Sequence, residues 1–194
     1  MTAPLRKLAD VTVGLTLRTP EAARPTPDGN YYLLKISDVD EFGQVRLSLN
    51  DRIRVDDPKA IARCGLRPGD VVLANRGTRA KAGLITQALP VIAGGQFFII
   101  RIHDDRLLAD YLVWFLNHPQ SQRKLFEEST VSVIKAVLAP QVRGLEVPVP
   151  PLRVQSRIVE LFALRAQEKR LVADLEALKS QLIDNTLFQV ATHV

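Results

Sequence analysis

The pattern of hydrophobic and polar positions changes near Pro151. Before it, short apolar runs alternate with turn residues, which predicts strands over Tyr31–Ile36, Val45–Leu49, Val71–Asn75, Val91–Ile92 and Gln96–Ile102. A polar loop is expected between the third of these strands and Gly83. Leu107–Asn117 has the spacing of a helix, and Pro119 opens a second helix that runs to about Glu128. Residues 1–150 are therefore expected to form one mixed α/β domain.

Residues 151–194 are expected to form one long amphipathic helix, which runs from Leu152 to about Phe188. Positions 164, 168, 171, 175, 178 and 182 follow the alternating four- and three-residue steps of a coiled coil. Position 168 is Glu168, and the other five are Leu164, Leu171, Leu175, Leu178 and Leu182. Roughly 36 residues at ~1.5 Å each give a rod ~50 Å long. Such a rod leaves its leucines exposed, which favours a partner helix over packing flat on its own domain. The predicted fold class is α+β, a mixed α/β domain followed by a single coiled-coil helix.

Composition narrows the class of protein. The chain has 194 residues, 46% of them hydrophobic, and a formal net charge of +5, which is typical of a globular protein with a substantial core. Its apolar stretches are too short to span a bilayer, and we expect neither a signal peptide nor a membrane partner. The single cysteine, Cys64, fits a reducing cytosol, so a cytoplasmic protein is expected. The three histidines lie far apart, so no metal or other cofactor is expected.

Positive charge is concentrated in the first 150 residues. Val71–His103 contains no Asp or Glu, and its cations are Arg76, Arg79, Lys81 and Arg101. The segment Asn75–Lys81 combines three of these cations with a hydroxyl and with Gly77. A glycine lets the backbone approach a ligand closely, and the cations can reach phosphates or guanine edges. This loop favours nucleic-acid binding, and a solvated basic hairpin is the alternative.

Evidence for catalysis is weak. Asp38 and Asp40 could hold a metal ion, and with Asp70 and Lys81 they would make a stand-alone nuclease. However, Asp-rich turns after strands are common, and the glycines fit neither a Walker loop nor a dinucleotide fingerprint. Ser, His and Asp residues are too scattered to nominate a triad. We therefore expect a protein without catalytic activity of its own.

Four stretches follow one another in this order between residues 31 and 159: residues 31–40 (YYLLKISDVD), 66–73 (LRPGDVVL), 111–117 (YLVWFLN) and 147–159 (VPVPPLRVQSRIV). Their order and type resemble the DNA-specificity subunits of type I restriction–modification systems. The fourth stretch is the most distinctive, because a proline pair, a glutamine and an isoleucine open the long helix.

The resemblance implies an architecture and partners. Such subunits carry two target-recognition domains, each followed by a long helix, and the antiparallel helices space the two halves of a split DNA site. Adenine methyltransferase subunits dock on the assembly, and a restriction subunit can join them. This sequence departs from the pattern because it has one domain and one helix. A homodimer would supply both halves and read a split palindrome, whereas pairing with a different half is the alternative.

The resemblance and the charge pattern together nominate contacts with double-stranded DNA. The leading candidates are Arg76, Thr78, Arg79 and Lys81, followed by Lys35, Gln96, Ser132 and Lys135. A second function class remains open, namely a coiled-coil interaction or scaffold protein without specific DNA binding.

Overall fold

The computed structural model describes residues 1–17, 24–49, 52–127 and 136–192. This part of the chain forms two compact units, residues 1–156 and the residues from Arg157 onward. None of the described helices is both long and apolar enough to cross a lipid bilayer.

The described strands are β1 (Thr2–Pro4), β2 (Ala9–Val13), β3 (Tyr31–Leu34), β4 (Arg52–Ile53), β5 (Val71–Ala74), β6 (Ala82–Leu84), β7 (Val91–Ala93), β8 (Phe97–Ile102) and β9 (Glu146–Pro148). The described α-helices are α1 (Pro58–Cys64), α2 (Ala109–Asn117), α3 (Pro119–Phe126), α4 (Ala139–Gly144) and α5 (Leu152–Thr192). The predicted α+β class with a long C-terminal helix is therefore confirmed.

A four-stranded antiparallel sheet in the order β2-β8-β5-β6 lies at the centre of the first unit. Its register pairs Val11 with Ile100 and Val72 with Ile99. All four residues of β5 are buried, so both faces of this strand are covered. A strand covered on both faces is a continuous apolar run, which is how Val71–Ala74 reads in the sequence.

A second sheet, in the order β4-β3-β7, packs against one face of the central sheet through a shared apolar core. In this sheet β3 runs parallel to β7 and antiparallel to β4. The core includes alternate residues of β5 and β8 together with side chains of β3, β7 and α1. Residues at alternate strand positions share a face, which explains why these residues meet. Helix α1 starts at Pro58 because the Asp57 side chain accepts a hydrogen bond from the Lys59 N–H (2.9 Å).

The end of the first unit is tied down by a small sheet and by one buried amide. Strand β1 pairs antiparallel with β9, and the Tyr111 hydroxyl donates to the Pro148 carbonyl (3.0 Å). Burial raises the pKa of that hydroxyl. Gln155, which is 0% exposed, accepts from the Leu108 N–H (2.9 Å) and donates to the Arg106 and Pro150 carbonyls (2.7 and 2.8 Å). The glutamine of the fourth sequence stretch thus has a structural role.

Two sequence predictions about strands are wrong. Val45–Leu49 is not a strand, because the Asp40 carboxylate accepts from the N–H groups of Phe42 and Gln44 (2.9 Å each) and folds the preceding segment into a turn. Only an isolated bridge pairs Val45 with Val39. The polar loop predicted up to Gly83 also ends earlier, because Ala82–Leu84 forms β6 on β5.

Helix α5 has 41 residues and begins at the predicted Leu152, and its residues from Arg157 onward form the second unit. The five predicted seam leucines are all exposed, with exposed fractions of 51–68%. The long helix is therefore confirmed, and its apolar stripe is uncovered in the single chain.

Candidate nucleic-acid interface

The basic loop leaves the central sheet after β5 and returns to it at β6. At its start, the Asn75 N–H donates to the Gln96 carbonyl (2.9 Å), and the Asn75 amide Nδ2 donates to the Gly95 carbonyl (2.8 Å). Its tip, Arg76, Gly77 and Thr78, is exposed. Gly77 has φ of 122°, a conformation that glycine adopts without strain. The loop therefore presents a short exposed tip on a well-anchored base.

Two side-chain amides hold the returning half of the loop. The Asn117 Oδ1 accepts from the Ala82 N–H (3.1 Å), and its Nδ2 donates to the Ala82 carbonyl (2.8 Å). In the same way, the Gln122 Oε1 accepts from the Ala80 N–H (3.0 Å), and its Nε2 donates to the Ala80 carbonyl (2.9 Å). Each amide thus pairs with the backbone as a neighbouring strand would. We call this pair, Asn117 and Gln122, the amide clamp.

Two of the leading DNA-contact candidates take part in holding the loop. An Arg79 Nη2 donates to the Asn117 carbonyl (2.5 Å), and the Lys81 Nζ donates to the Val39 carbonyl (3.0 Å). Both side chains are half-buried, whereas Arg76 and Thr78 are exposed. Arg76 and Thr78 are therefore the predicted contacts with the most accessible side chains, and Arg79 and Lys81 also have structural roles.

The second group of candidates is partly brought together beside the loop. The Gln96 Nε2 approaches the Leu34 carbonyl at 3.5 Å, the long limit of a hydrogen bond. Lys35 follows Leu34 and is half-buried, and its N–H donates to the Asp38 carboxylate (2.9 Å). Ser132 and Lys135 lie outside the described residues.

Sequence reasoning missed the contribution of α3 to this surface. A groove of about 450 Å³ lies beside the loop tip and is lined by Thr78, Arg79, Pro119, Gln122, Arg123 and Phe126. Gln122 is 42 residues from Ala80 in sequence, so no local pattern could have joined the helix to the loop. The acid-free composition of α3 was the one local signal.

The carboxylates of the nuclease alternative have structural partners. The Asp70 carboxylate accepts from the Arg101 guanidinium (3.1 Å) and from the Arg67 N–H (3.0 Å). The Asp38 carboxylate accepts from the Lys35 N–H, and the Asp40 carboxylate accepts from the Phe42 N–H in the turn described above. Among the described residues, no group of three or more His, Cys, Asp or Glu could hold a metal ion. These acids are therefore explained by the fold.

No protein-family model and no curated protein sequence matches this chain. Solved structures do match. One, from a study of complex assembly and conformational transition of the type I R-M system, has a TM-score of 0.67 and 20% identity over 94% of this chain and 43% of its own. The HsdS subunit from Thermoanaerobacter tengcongensis has a TM-score of 0.60 and 20% identity, with 87% and 37% covered.

A third match is the type I restriction–modification S subunit from M. genitalium, with a TM-score of 0.56 and 15% identity over 90% of this chain and 41% of that subunit. The chain therefore has the fold of type I restriction–modification S subunits. It spans about two fifths of the length of the matched chains.

Proposed function

We propose that this chain recognises double-stranded DNA as the specificity component of a type I restriction–modification system. The observation that carries the proposal is the basic loop, whose exposed tip stands on an anchored base within an S-subunit fold. Arginine pairs bidentately with guanine and with phosphate, and hydroxyls contact phosphates or bases. In this proposal Arg76 and Thr78 are the primary contacts, and Arg79, Lys81, Lys35 and Gln96 support them.

The proposal includes a homodimer that reads a split palindrome. The leucine stripe of α5 is exposed, and the chain spans about two fifths of the length of the S-subunit chains that it matches. Two copies joined through Leu164, Leu171, Leu175, Leu178 and Leu182 would bury these stripes and present two loops. A twofold axis would then relate two identical half-sites.

An adenine methyltransferase subunit is the proposed partner that performs chemistry on the recognised site, with a restriction subunit as a further partner. The chain would contribute recognition alone, since Asp38, Asp40 and Asp70, the acids of the nuclease alternative, have structural partners. Co-expression with a type I modification subunit tests this partnership: a stable complex that methylates adenine in duplex DNA is expected. A chain that elutes apart from that subunit would contradict it.

The DNA-binding part of the proposal is tested by titrating a mixed-sequence duplex at several salt concentrations. The wild-type chain is expected to bind, with affinity that falls steeply as salt rises, because phosphate contacts release counterions. The variant Arg76→Ala combined with Arg79→Ala should bind more weakly. Since Arg79 also supports the loop, Arg76→Ala alone is needed to separate contact from folding.

The matched control is Lys59→Ala, which removes an exposed cation from α1, away from the loop in sequence. It should leave binding unchanged. If the double variant binds as tightly as the wild type at every salt concentration, the loop is not the DNA contact. If the wild type binds no duplex but remains dimeric, the chain is an interaction or scaffold protein instead.

A further inference from the structure

The groove between the loop tip and α3 has the composition of an anion-binding surface. Of its six described lining residues, two are arginines and two others, Thr78 and Gln122, carry hydrogen-bonding side chains. None of these six is acidic. The sequence predicts DNA contacts only on the loop side of this groove, at Thr78 and Arg79.

The amide clamp fixes α3 against the loop. Gln122 bonds both backbone groups of Ala80, and its Nε2 also donates to the Leu116 carbonyl (2.6 Å). Arg79, next to Ala80, donates to the Asn117 carbonyl. Arg123 follows Gln122 directly, so its Cα has a fixed position relative to Thr78. Arg123 and Thr78 therefore line one groove and lie on elements that the amide clamp joins.

Charge differs between the two sides of α3. Arg123 lines the groove with Thr78, whereas Lys124 lines a separate depression together with Glu127 and Glu146. An anion approaching Lys124 would meet these two carboxylates. On the side of Arg123, the described lining residues present no such repulsion.

We propose that Arg123 and Thr78 bind one phosphate of the DNA backbone in this groove, next to the contacts made by Arg76. The inference rests on the proposed function. An exposed guanidinium can hold two phosphate oxygens at once, and the Thr78 hydroxyl can donate to a third. A phosphate contact of this kind sets the position of the loop on the duplex and carries no base preference of its own.

Two neighbouring variants, Arg123→Ala and Lys124→Ala, test the proposal, because they remove the same charge from adjacent exposed positions of one helix. Binding of a mixed-sequence duplex is measured across a salt series. For Arg123→Ala, the slope of log affinity against log salt should shrink by about one, and affinity should fall by the same factor for every duplex sequence. Lys124→Ala should match the wild type, and Arg123→Lys should restore the slope.

Both side chains are exposed, so each variant should fold like the wild type. Thermal unfolding checks this. Equal losses for Arg123→Ala and Lys124→Ala would overturn the inference, as would a wild-type slope for Arg123→Ala. If Arg76→Ala weakens binding while Arg123→Ala does not, this inference fails alone and the proposed function stands. A wild-type chain that binds no duplex overturns both.

Discussion

The two units of this chain bury their apolar side chains to very different extents. In the first unit, large side chains such as Leu34, Leu73 and Phe97 are completely buried. In α5, the seam leucines are 51–68% exposed. The first unit therefore completes its own core, whereas α5 exposes an apolar stripe of a size that usually marks an interface.

Polar contacts differ in the same way. The first unit contains buried amides with partners on several elements, such as Asn117 and Gln155. Ion pairs of α5, such as Lys179 with Glu176, join exposed residues one turn apart. Pairs of this kind contribute only a few tenths of a kcal/mol. We infer that the first unit is stable by itself and that α5 gains its stability from association.

The largest effect is expected from Leu171→Asp combined with Leu178→Asp. Each leucine contributes ~1.5–3 kcal/mol when fully buried, so the four leucines of a homodimer contribute roughly 6–12 kcal/mol. The variant should be a monomer by light scattering, whereas the wild type is expected at twice the chain mass of 21.6 kDa. Thermal unfolding of the first unit should not change.

The control for this variant places the same charges on the opposite face of α5, as Ala173→Asp with Ser180→Asp. Both positions are exposed and lie outside the leucine stripe. This control should remain dimeric. A dimeric Leu171→Asp, Leu178→Asp chain would show that the stripe is not the interface.

A smaller effect is expected from Asn117→Ala, which removes half of the amide clamp. The N–H and carbonyl of Ala82 would lose their partners, at a cost of about 1–3 kcal/mol for each buried group. Urea unfolding should give a free energy of unfolding lower by roughly 2–6 kcal/mol than that of the wild type. Gln120→Ala, at an exposed position of α3, should change it by less than about 0.5 kcal/mol.

The dimer mass should survive Asn117→Ala, because the clamp belongs to the first unit. Loss of the dimer in this variant would contradict the independence of the two units.

The next effect concerns the Asp70–Arg101 ion pair. Asp70 is 5% exposed, and the Arg101 side chain is 28% exposed. Because the arginine reaches solvent, Asp70→Asn should cost only about 1–2 kcal/mol in urea unfolding, less than the loss of a fully buried pair. Asp56→Asn breaks an ion pair in which both side chains are more than 60% exposed and should cost under about 0.5 kcal/mol. Equal costs for the two variants would contradict the structural role of Asp70.

The smallest effect is a pH dependence. Hydrogen bonds from the Arg106 side chain and N–H lower the pKa of Asp104 from 3.8 to about 2. A lowered native pKa adds stability that is complete above the unfolded value and is lost as the pH falls towards 2. The urea midpoint should therefore fall between pH 5 and pH 2.5, and less so in Asp104→Asn. An identical fall in both proteins would contradict the contribution of this carboxylate.

The long helix could be predicted because its signal is local. The amphipathic pattern after Pro151 placed its start at Leu152, where α5 begins. The amide clamp could not be predicted in the same way, since Asn117 and Gln122 lie 35 and 42 residues from their partners. Residue types likewise located the basic loop, but only the fold separates the exposed Arg76 from the half-buried Arg79.

The most direct test of the account is a selection of duplexes from a randomised pool by the purified full-length chain. The two units make separate contributions to the expected result: the loop of the first unit selects a half-site, and pairing through α5 fixes the gap between two half-sites. We predict enrichment of one short motif present twice, in inverted orientation, with constant spacing. A pool without any enriched motif would contradict DNA recognition, and a single unpaired motif would contradict the homodimer.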